Sequence, residues 1–568
     1  MRNIWSTKTI RETESAAVAE APTDALMKQA AAGVAEACAK ILENSPALAI
    51  ESSSPDLPAR VHAVALVGGG DNGGDALYAA AMLATEGYRT RAVIASEHPH
   101  ARALATATEV GVDIVSICNS NALIQSMNAV KYVDGAQVWL DGLLGTGTSG
   151  KIREPLRSTI AALEKQRLQD EKVRVVTIDV HSGAADDSGE ISGPALGGNI
   201  VVTMGAVKPS LVFPPARYLH DSVRLVDLGL QLTGNPAART LTVADFARSY
   251  HLPDTGDHKY TRGVVQLVTG SERYPGAAVL STLAASYTGV GMIRFDSTPT
   301  PTQLVLTRCP SVVTGTGKAQ TIVVGSGMDP DIYDTRTRVE AAFKAARTGR
   351  IPLVIDAGAL PIVSDDIRRH GRYSHPVVLT PHAGEAATLV TALTGQQTTR
   401  EEVLARPLHY ATLLSVETGA ITVLKGHATI ITAPNTIPFV QGEAPAWTAT
   451  AGTGDVLAGI IGARLAQTRA YEERKLPIDP YPEVVAGAVW LHGTAAWAAT
   501  GEPLRFPDSA LQPQQLSGIG RPISALGIAQ ALPNVIGHAL SACYRPAIPH
   551  SWDVRSGRTI GKAEEYDA

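Results

Sequence analysis

Cysteine is scarce in this chain: Cys38, Cys118, Cys309 and Cys543 are the only four in 568 residues. None sits in a CxxC pair, which argues against a zinc site or disulfide framework and suits a reducing compartment. Charge is sparse as well. Charged residues make up 18% against 45% hydrophobic, and the net charge is −5. That balance is globular and offers no basic field for a nucleic acid or an anionic membrane. The opening MRNIWSTKTIRETES has no apolar core segment, so no secretory signal is expected. Two stretches lack charge altogether, Tyr274 to Ile293 and Val484 to Gly501, the second holding His492. Rich in Ala, Gly, Ser and Thr, they read as buried helices rather than membrane spans. A cytoplasmic enzyme is expected, with neither nucleic acid nor membrane as partner. Short-period repeats and low-complexity tracts are also missing.

What is present is alternation. The chain is too long for one ordinary core, so two or more domains are expected. Positions 13–43 are Ala-rich, with Leu26, Met27, Val34 and Ile41 at helical spacing. Short apolar runs follow at Val61–Val67, Arg91–Ala95, Val138–Leu140, Val173–Val180 and Ile200–Met204, with a helix expected over Ala76–Glu86. The stretch around 230–250 has little periodicity and a Gly-Asn-Pro break, which places a domain boundary there. Beyond it the pattern restarts, with strands expected at Val264–Val268, Thr321–Val324, Pro352–Ile355, Pro376–Leu379 and Ala420–Leu424. Strands alternating with helices predict an α/β chain with parallel sheets covered on both faces. Residues from His550 onwards read as a polar tail.

Nearly every apolar run ends in a turn bearing Gly, Asp, His or Lys, and parallel sheets bind ligands beyond these strand ends. In the first half the turn is GGGDNGGD. Gly68, Gly70 and Gly73 satisfy GxGxxG, with Glu97 downstream, so a tight turn and a Rossmann loop are both open readings. The adjacent Asp71, Asn72 and Asp75 would repel a pyrophosphate and suit a cation or a proton transfer. Gly145 to Lys151 (GTGTSGK) fits GxxxxGK, but Ile152 replaces the magnesium-binding hydroxyl. A phosphate-cradling loop is expected there, not a Walker A loop. Asp179, in DVHSG, is either a base at a strand end or a turn cap.

In the second half, Ala451-Gly-Thr-Gly-Asp455-Val-Leu-Ala-Gly459 leads into a helix expected over Val456–Ala466. A helix N-terminus holds anions, and Asp455 beside it could take a proton from a hydroxyl while phosphate is held opposite. The competing reading is Asp455 as N-cap. Lys425 closes one strand as KGHAT, and His382 closes another as TPHAGE.

These motifs carry a resemblance. GGGDNGGD, DGLLGTG, DVHSGAADDSGEISGPAL and TMGAVKPS resemble NAD(P)H-hydrate epimerase domains over roughly residues 10–230. The resemblance implies a potassium ion held by Asn72, Asp141 and Ser182, and Asp179 as the base acting at C6 of the hydrated nicotinamide. It implies dinucleotide contacts from Asp71, Asn72, Gly73, Gly74 and Asp75, and from Gly145, Thr146, Gly147, Thr148, Ser149, Gly150 and Lys151. The family usually has Pro, Asn and Gly where this chain has Gly69, Asp71 and Ala76, and Pro in place of His181. HKYTRG, VTGSERYPGAA, VVGSGMD, IDAGAL, LTPHAGE, LKGHAT, ATAGTGDVLAG and LHGTAA are similar, over about 245–545, to nucleotide-dependent NAD(P)H-hydrate dehydratases of the ribokinase-like superfamily. Ala277, Gly327, His382 and Asp455 would then contact the hydrated cofactor. Lys425, Gly426, His427, Ala428, Thr429 and Gly454 would bind ADP or ATP, with Mg2+ offsetting the phosphate charge. Gly358 departs from the family's usual Asp.

The organisation so implied is a Rossmann-like three-layer αβα sandwich over 1–232, a ribokinase-like αβα domain over 233–549 and a tail over 550–568. The implied activity is repair of hydrated NADH and NADPH, in a chain that assembles into homo-oligomers. A ribokinase-like small-molecule kinase and a non-catalytic nucleotide-binding module are the alternatives.

Overall fold

The computed structural model describes residues 1–44, 61–119, 121–146, 151–185, 187–329, 331–442, 444–504, 520–543, 552–553 and 558–559. They fall into two compact units. The first takes 1–240 and 360–442; the second takes 241–359, 444–504 and 520–543.

The first unit holds a seven-stranded, wholly parallel sheet in the spatial order Asp113–Ser116, Thr90–Ile94, Ala63–Val67, Val138–Gly142, Arg174–Ile178, Ile200–Met204, Ser222–Val226. Strand residues alternate between two cores. Ala63, Ala65 and Val67 face helices Ala25–Glu43 and Asp71–Thr85; Val64 and Leu66 face helices Ala122–Val133 and Leu156–Gln169. Both faces are therefore buried, each Val or Leu contributing about 1.5–3 kcal/mol, which is why the strands read as unbroken apolar runs. The result is the expected three-layer sandwich. The strand order reverses between Ala63–Val67 and Val138–Gly142, which pair with Leu66 opposite Asp141. A crevice opens beyond the strand ends at such a reversal.

The same unit carries a second run of neighbouring strands: Arg2–Ile4, Ala238–Thr240, Phe439–Gln441, Thr429–Thr432, Ile421–Leu424 and Val377–Leu379. Three of its five pairings are antiparallel, so this run is mixed, in contrast to the wholly parallel seven-stranded sheet. The second unit has five parallel strands in the order Leu353–Ile355, Thr321–Val324, Val264–Val268, Met292–Phe295, Val313–Thr314. Helix Thr453–Glu473 lies so close to helix Pro275–Tyr287 that a Cβ at Gly459 would stand 2.3 Å from the Ser281 carbonyl oxygen.

Several expected elements change. The helix expected from Ala76 begins at Asp71, so 71–75 form its first turn and not a loop. The helix expected from Val456 begins at Thr453 and runs to Glu473. Its buried residues lie on all sides, which hides the helical period. The uncharged stretch 274–293 is not one helix. It breaks at Gly289, where φ is +89°, and enters strand Met292–Phe295. The aperiodic stretch 230–250 contains strand Ala238–Thr240 and helix Val243–Ser249, opened by a Thr242–Asp245 capping box. Tyr481–Thr500 is the helix expected, and no described helix is long and apolar enough to cross a membrane.

Candidate active sites

The reversal point of the seven-stranded sheet gathers Asn72, Asp141 and Ser182, all buried. Asp141 is the fourth residue of its strand and fully buried. Its Oδ1 accepts from the Ser182 hydroxyl (2.8 Å) and the Leu143 amide (3.3 Å). Burial pushes its carboxyl up to about 6, with those hydrogen bonds opposing. Ser182 Oγ in turn accepts from the Leu144 amide at 3.0 Å. Asn72, in the first turn of helix Asp71–Thr85, donates its Nδ2 to the carbonyls of Ile178 (2.6 Å) and Leu144 (3.1 Å). Gly145 is packed against this amide: a Cβ there would stand 2.5 Å from Asn72 Oδ1. Three residues far apart in sequence thus meet as a buried set of oxygen donors.

Asp179 lies beside them in left-handed backbone, φ 65°. Among the described residues, every hydrogen bond to its carboxylate falls on Oδ1: from Thr203 Oγ1 (3.0 Å), from the Met204 amide (3.2 Å) and from Lys208 Nζ. Lys208 is itself buried and also reaches Thr203 Oγ1 (3.1 Å) and the Met204 carbonyl (2.7 Å). Asp75 is fully enclosed, its Oδ1 has no partner among the described residues, and burial drives its carboxyl well above the usual range. Asp71 is exposed at the first position of the same helix. Gly73 and Gly74 are buried, and both serve close packing: a Cβ at Gly73 would stand 2.2 Å from the Gly68 carbonyl oxygen, and one at Gly74 2.8 Å from Met27 Sδ.

Sequence reasoning passed over Lys208, although it is the lone charge between Glu190 and Arg217 in an apolar run, a usual sign of a buried ion pair. It also passed over the pairing of His181. That ring, replacing the family's Pro, is buried with Nε2 3.0 Å from His220 Nδ1, and burial pushes its pKa down to about 4. Thr146 and Lys151 are described and Lys151 is exposed; Gly147, Thr148, Ser149 and Gly150 lie outside the described residues.

Two further clusters hold the second set of motifs. In the first unit, His382 is the N-cap of helix Ala383–Thr394. Its Nδ1 accepts from the amides of Gly384 (3.1 Å) and Glu385 (3.2 Å), while Glu385 accepts from the His382 amide (2.8 Å). Nδ1 is thus used structurally, and Nε2 faces Glu385 Oε2 at 3.6 Å. Lys425 Nζ lies 3.7 Å from the same oxygen, and its amide bonds Pro381 at 2.8 Å. Thr429 Oγ1 donates to the Gly426 carbonyl at 3.0 Å, closing the Lys425–Thr429 turn. His427 is exposed on that turn and Ala428 buried beneath it.

In the second unit, Gly452 (φ +92°) is the N-cap of helix Thr453–Glu473. Gly454 and Asp455 are therefore the second and third helical residues, and Asp455 is not the cap. Ala277 is likewise in the first turn of helix Pro275–Tyr287, and Gly327 (φ +66°) packs against it so closely that a Cβ would stand 2.4 Å from the Ala277 Cβ. Two helix N-termini with small residues expose amide donors, the arrangement that receives phosphate. At Gly358 a Cβ would stand 2.0 Å from the Met328 carbonyl oxygen.

Against known proteins, residues 23–210 match the family described as YjeF-related protein N-terminus, and residues 265–517 match the family described as NAD(P)H-hydrate dehydratase. The bifunctional NAD(P)H-hydrate repair enzyme of Mycobacterium tuberculosis is 34% identical over 480 residues, covering 82% of this chain and 89% of that protein. The enzyme of the same description from Mycobacterium leprae is 32% identical over 511 residues, covering 89% and 95%. Among solved structures, an ADP/ATP-dependent NAD(P)H-hydrate dehydratase from Bacillus subtilis aligns with a TM-score of 0.43 at 24% identity, over 53% of this chain and 99% of that one. The chain belongs to the family of bifunctional NAD(P)H-hydrate repair enzymes.

Proposed function

We propose that this chain restores hydrated NADH and NADPH in two steps. An epimerase domain, 1–232, interconverts the R and S hydrates at nicotinamide C6. A dehydratase domain, 233–549, returns the S-hydrate to the dihydronicotinamide at the expense of ADP or ATP, leaving 550–568 as a tail. One observation carries the epimerase assignment: the buried oxygen set Asn72–Asp141–Ser182 beside a carboxylate, Asp179, whose hydrogen bonds with the described residues all fall on one oxygen. Asp179 Oδ2 is then the atom that takes the C6 hydroxyl proton. The donor set fits potassium, because it is all oxygen, contains no thiol or imidazole, and includes a buried carboxylate in want of a counter-charge. Asn72, Asp141 and Ser182 would hold the ion, which would supply positive charge beside the substrate phosphates. Asp71, Asn72, Gly73, Gly74, Asp75 and the 145–151 segment would position the dinucleotide.

In the dehydratase, Asp455 takes the proton of the S-hydrate hydroxyl as the terminal nucleotide phosphoryl is transferred to that oxygen. Phosphate then leaves C6 with the help of the ring-nitrogen lone pair, and the resulting iminium loses a C5 proton to water, whose C–H pair becomes the C5–C6 double bond of the dihydropyridine. Ala277, Gly327 and His382 contact the hydrated cofactor. Lys425, Gly426, His427, Ala428, Thr429 and Gly454 bind the nucleotide, with Mg2+ offsetting its charge. A cytoplasmic homo-oligomer completes the reading.

The test is recovery of the near-ultraviolet dihydronicotinamide absorbance from mixed R/S hydrate. Full recovery with ADP or ATP is expected for the wild type. Asp179→Asn should rapidly recover the S fraction alone, and Asp455→Asn should recover neither. A stable phosphorylated product in place of free phosphate would replace this reading with a small-molecule kinase.

A further inference from the structure

Helix Thr7–Glu20 brings a carboxyl to the epimerase site that no motif marked. Glu14 is half-buried and has neither hydrogen bond nor ion pair with any described residue. Its Oε1 lies 3.7 Å from where a Cβ on Gly205 would stand. Gly205 follows Met204, whose amide bonds Asp179 Oδ1 (3.2 Å) and whose carbonyl takes Lys208 Nζ (2.7 Å). The segment entering this helix is tied to the same loop, Trp5 donating its amide to the Val207 carbonyl at 3.1 Å.

Three carboxyls, Glu14, Asp75 and Asp179, therefore share one enclosed lysine. Glu14 faces Lys208 and Asp179 on the loop side, Asp71 and Asp75 on helix Asp71–Thr85, and Arg11 on its own helix. Asp179 Oδ1 is engaged by Lys208 and two further donors. Asp75 is enclosed with an orphaned oxygen, and burial drives its carboxyl well above the usual range. Glu14 lies between: burial, reinforced by Asp179 and Asp71 and opposed by Lys208 and Arg11, pushes its carboxyl up to about 7.

We propose that Glu14 is the proton donor of the epimerase and works opposite Asp179. This rests on the epimerase reading above. C6 of the hydrate is a hemiaminal carbon. Asp179 takes the hydroxyl proton, and that O–H electron pair becomes the second C6–O bond. The C6–N1 bond breaks, its pair goes to N1, and Glu14 supplies the proton that N1 gains. Rotation about C5–C6 presents the other face of the aldehyde. N1 adds back, its proton returns to Glu14, and Asp179 returns the other to the oxygen. Nothing is oxidised, reduced or consumed.

The experiment follows R-to-S conversion by the full chain in potassium buffer from pH 5.5 to 8.5, without nucleotide. Dehydration of pure S-hydrate with ADP or ATP is run in parallel. A required proton donor must be protonated, so wild-type epimerisation should fall as pH rises through about 7. Glu14→Gln should epimerise about 100-fold more slowly, lose that alkaline limb and keep its S-hydrate dehydration. Glu14→Asp should retain an alkaline limb at a displaced pH, and it carries the test should the Gln variant not fold. Epimerisation by Glu14→Gln within twofold of wild type, or an unmoved limb in both variants, overturns the role of Glu14 alone. A wild type that dehydrates the S-hydrate yet never interconverts R and S overturns the epimerase reading itself.

Discussion

At the scale of single residues, two departures from the family pattern have structural explanations. His181 replaces a Pro by pairing with His220, so the loss of a rigid ring is offset by a buried hydrogen bond of 3.0 Å. Gly358 replaces an Asp where the backbone runs under the Met328 carbonyl, leaving 2.0 Å to the position of a Cβ. Restoring the family residue should therefore harm this chain. Gly358→Asp is expected to cost about 2 kcal/mol or more, through backbone displacement, and to lower the thermal midpoint and the dehydratase rate together. A variant with unchanged midpoint would show that this backbone shifts freely. Asp179 and Lys208 are a different case. A buried pair is costly to break by removing one member, and here the lysine engages Oδ1, which under the proposed mechanism leaves Oδ2 for the substrate.

At the scale of elements, helix Thr453–Glu473 shows how one strongly conditioned side chain fixes a site from a distance. Arg464 is fully buried on it. Its Nη2 donates to the Ser249 carbonyl at 2.7 Å, Nη1 reaches Gln467 at 3.0 Å, and the guanidinium lies over the rings of Phe246 and Tyr250. Burial pushes it down to about 10, so it remains charged at neutral pH. This clamp holds the helix that presents Gly454 and Asp455 against the short helix Val243–Ser249. Arg464→Ala should lower stability by about 3 kcal/mol, leaving the Ser249 carbonyl unpaired and a cavity behind. Arg464→Lys should recover only part of this, since an ammonium lacks the planar fork. Denaturant midpoints of the three proteins decide it; a lysine variant as stable as wild type would reduce the clamp to charge alone.

At the scale of the whole molecule, the proposed potassium site and the proposed magnesium-assisted nucleotide site would give the two activities different ionic needs. Exchanging potassium for a bulky organic cation should slow R-to-S conversion at least tenfold and leave dehydration of pure S-hydrate within twofold. Chelating magnesium should do the reverse. Separate assays on each hydrate check both arms. Loss of both activities on potassium removal would move the ion's role away from the Asn72–Asp141–Ser182 set.

The sequence by itself determined the strand–helix alternation, most strand ends and the residue types at each turn, because hydrophobic period and turn chemistry are local properties. Ile200–Met204, Val264–Val268 and Thr321–Val324 were legible to the residue. Helix Thr453–Glu473 was legible only in part, because burial on all sides erases the period. The short strands Asp113–Ser116 and Phe439–Gln441 carried too few residues to show one. Asp179 and Asp455 could be named as candidates from their turns. Only the tertiary structure decided that Asp141 and Ser182 are bonded across 41 positions, that Lys208 closes on Asp179, and that Glu14 arrives from the first helix. Those meetings depend on which strands become neighbours and on which face each helix covers, and neither is encoded within a few residues of the side chains that meet.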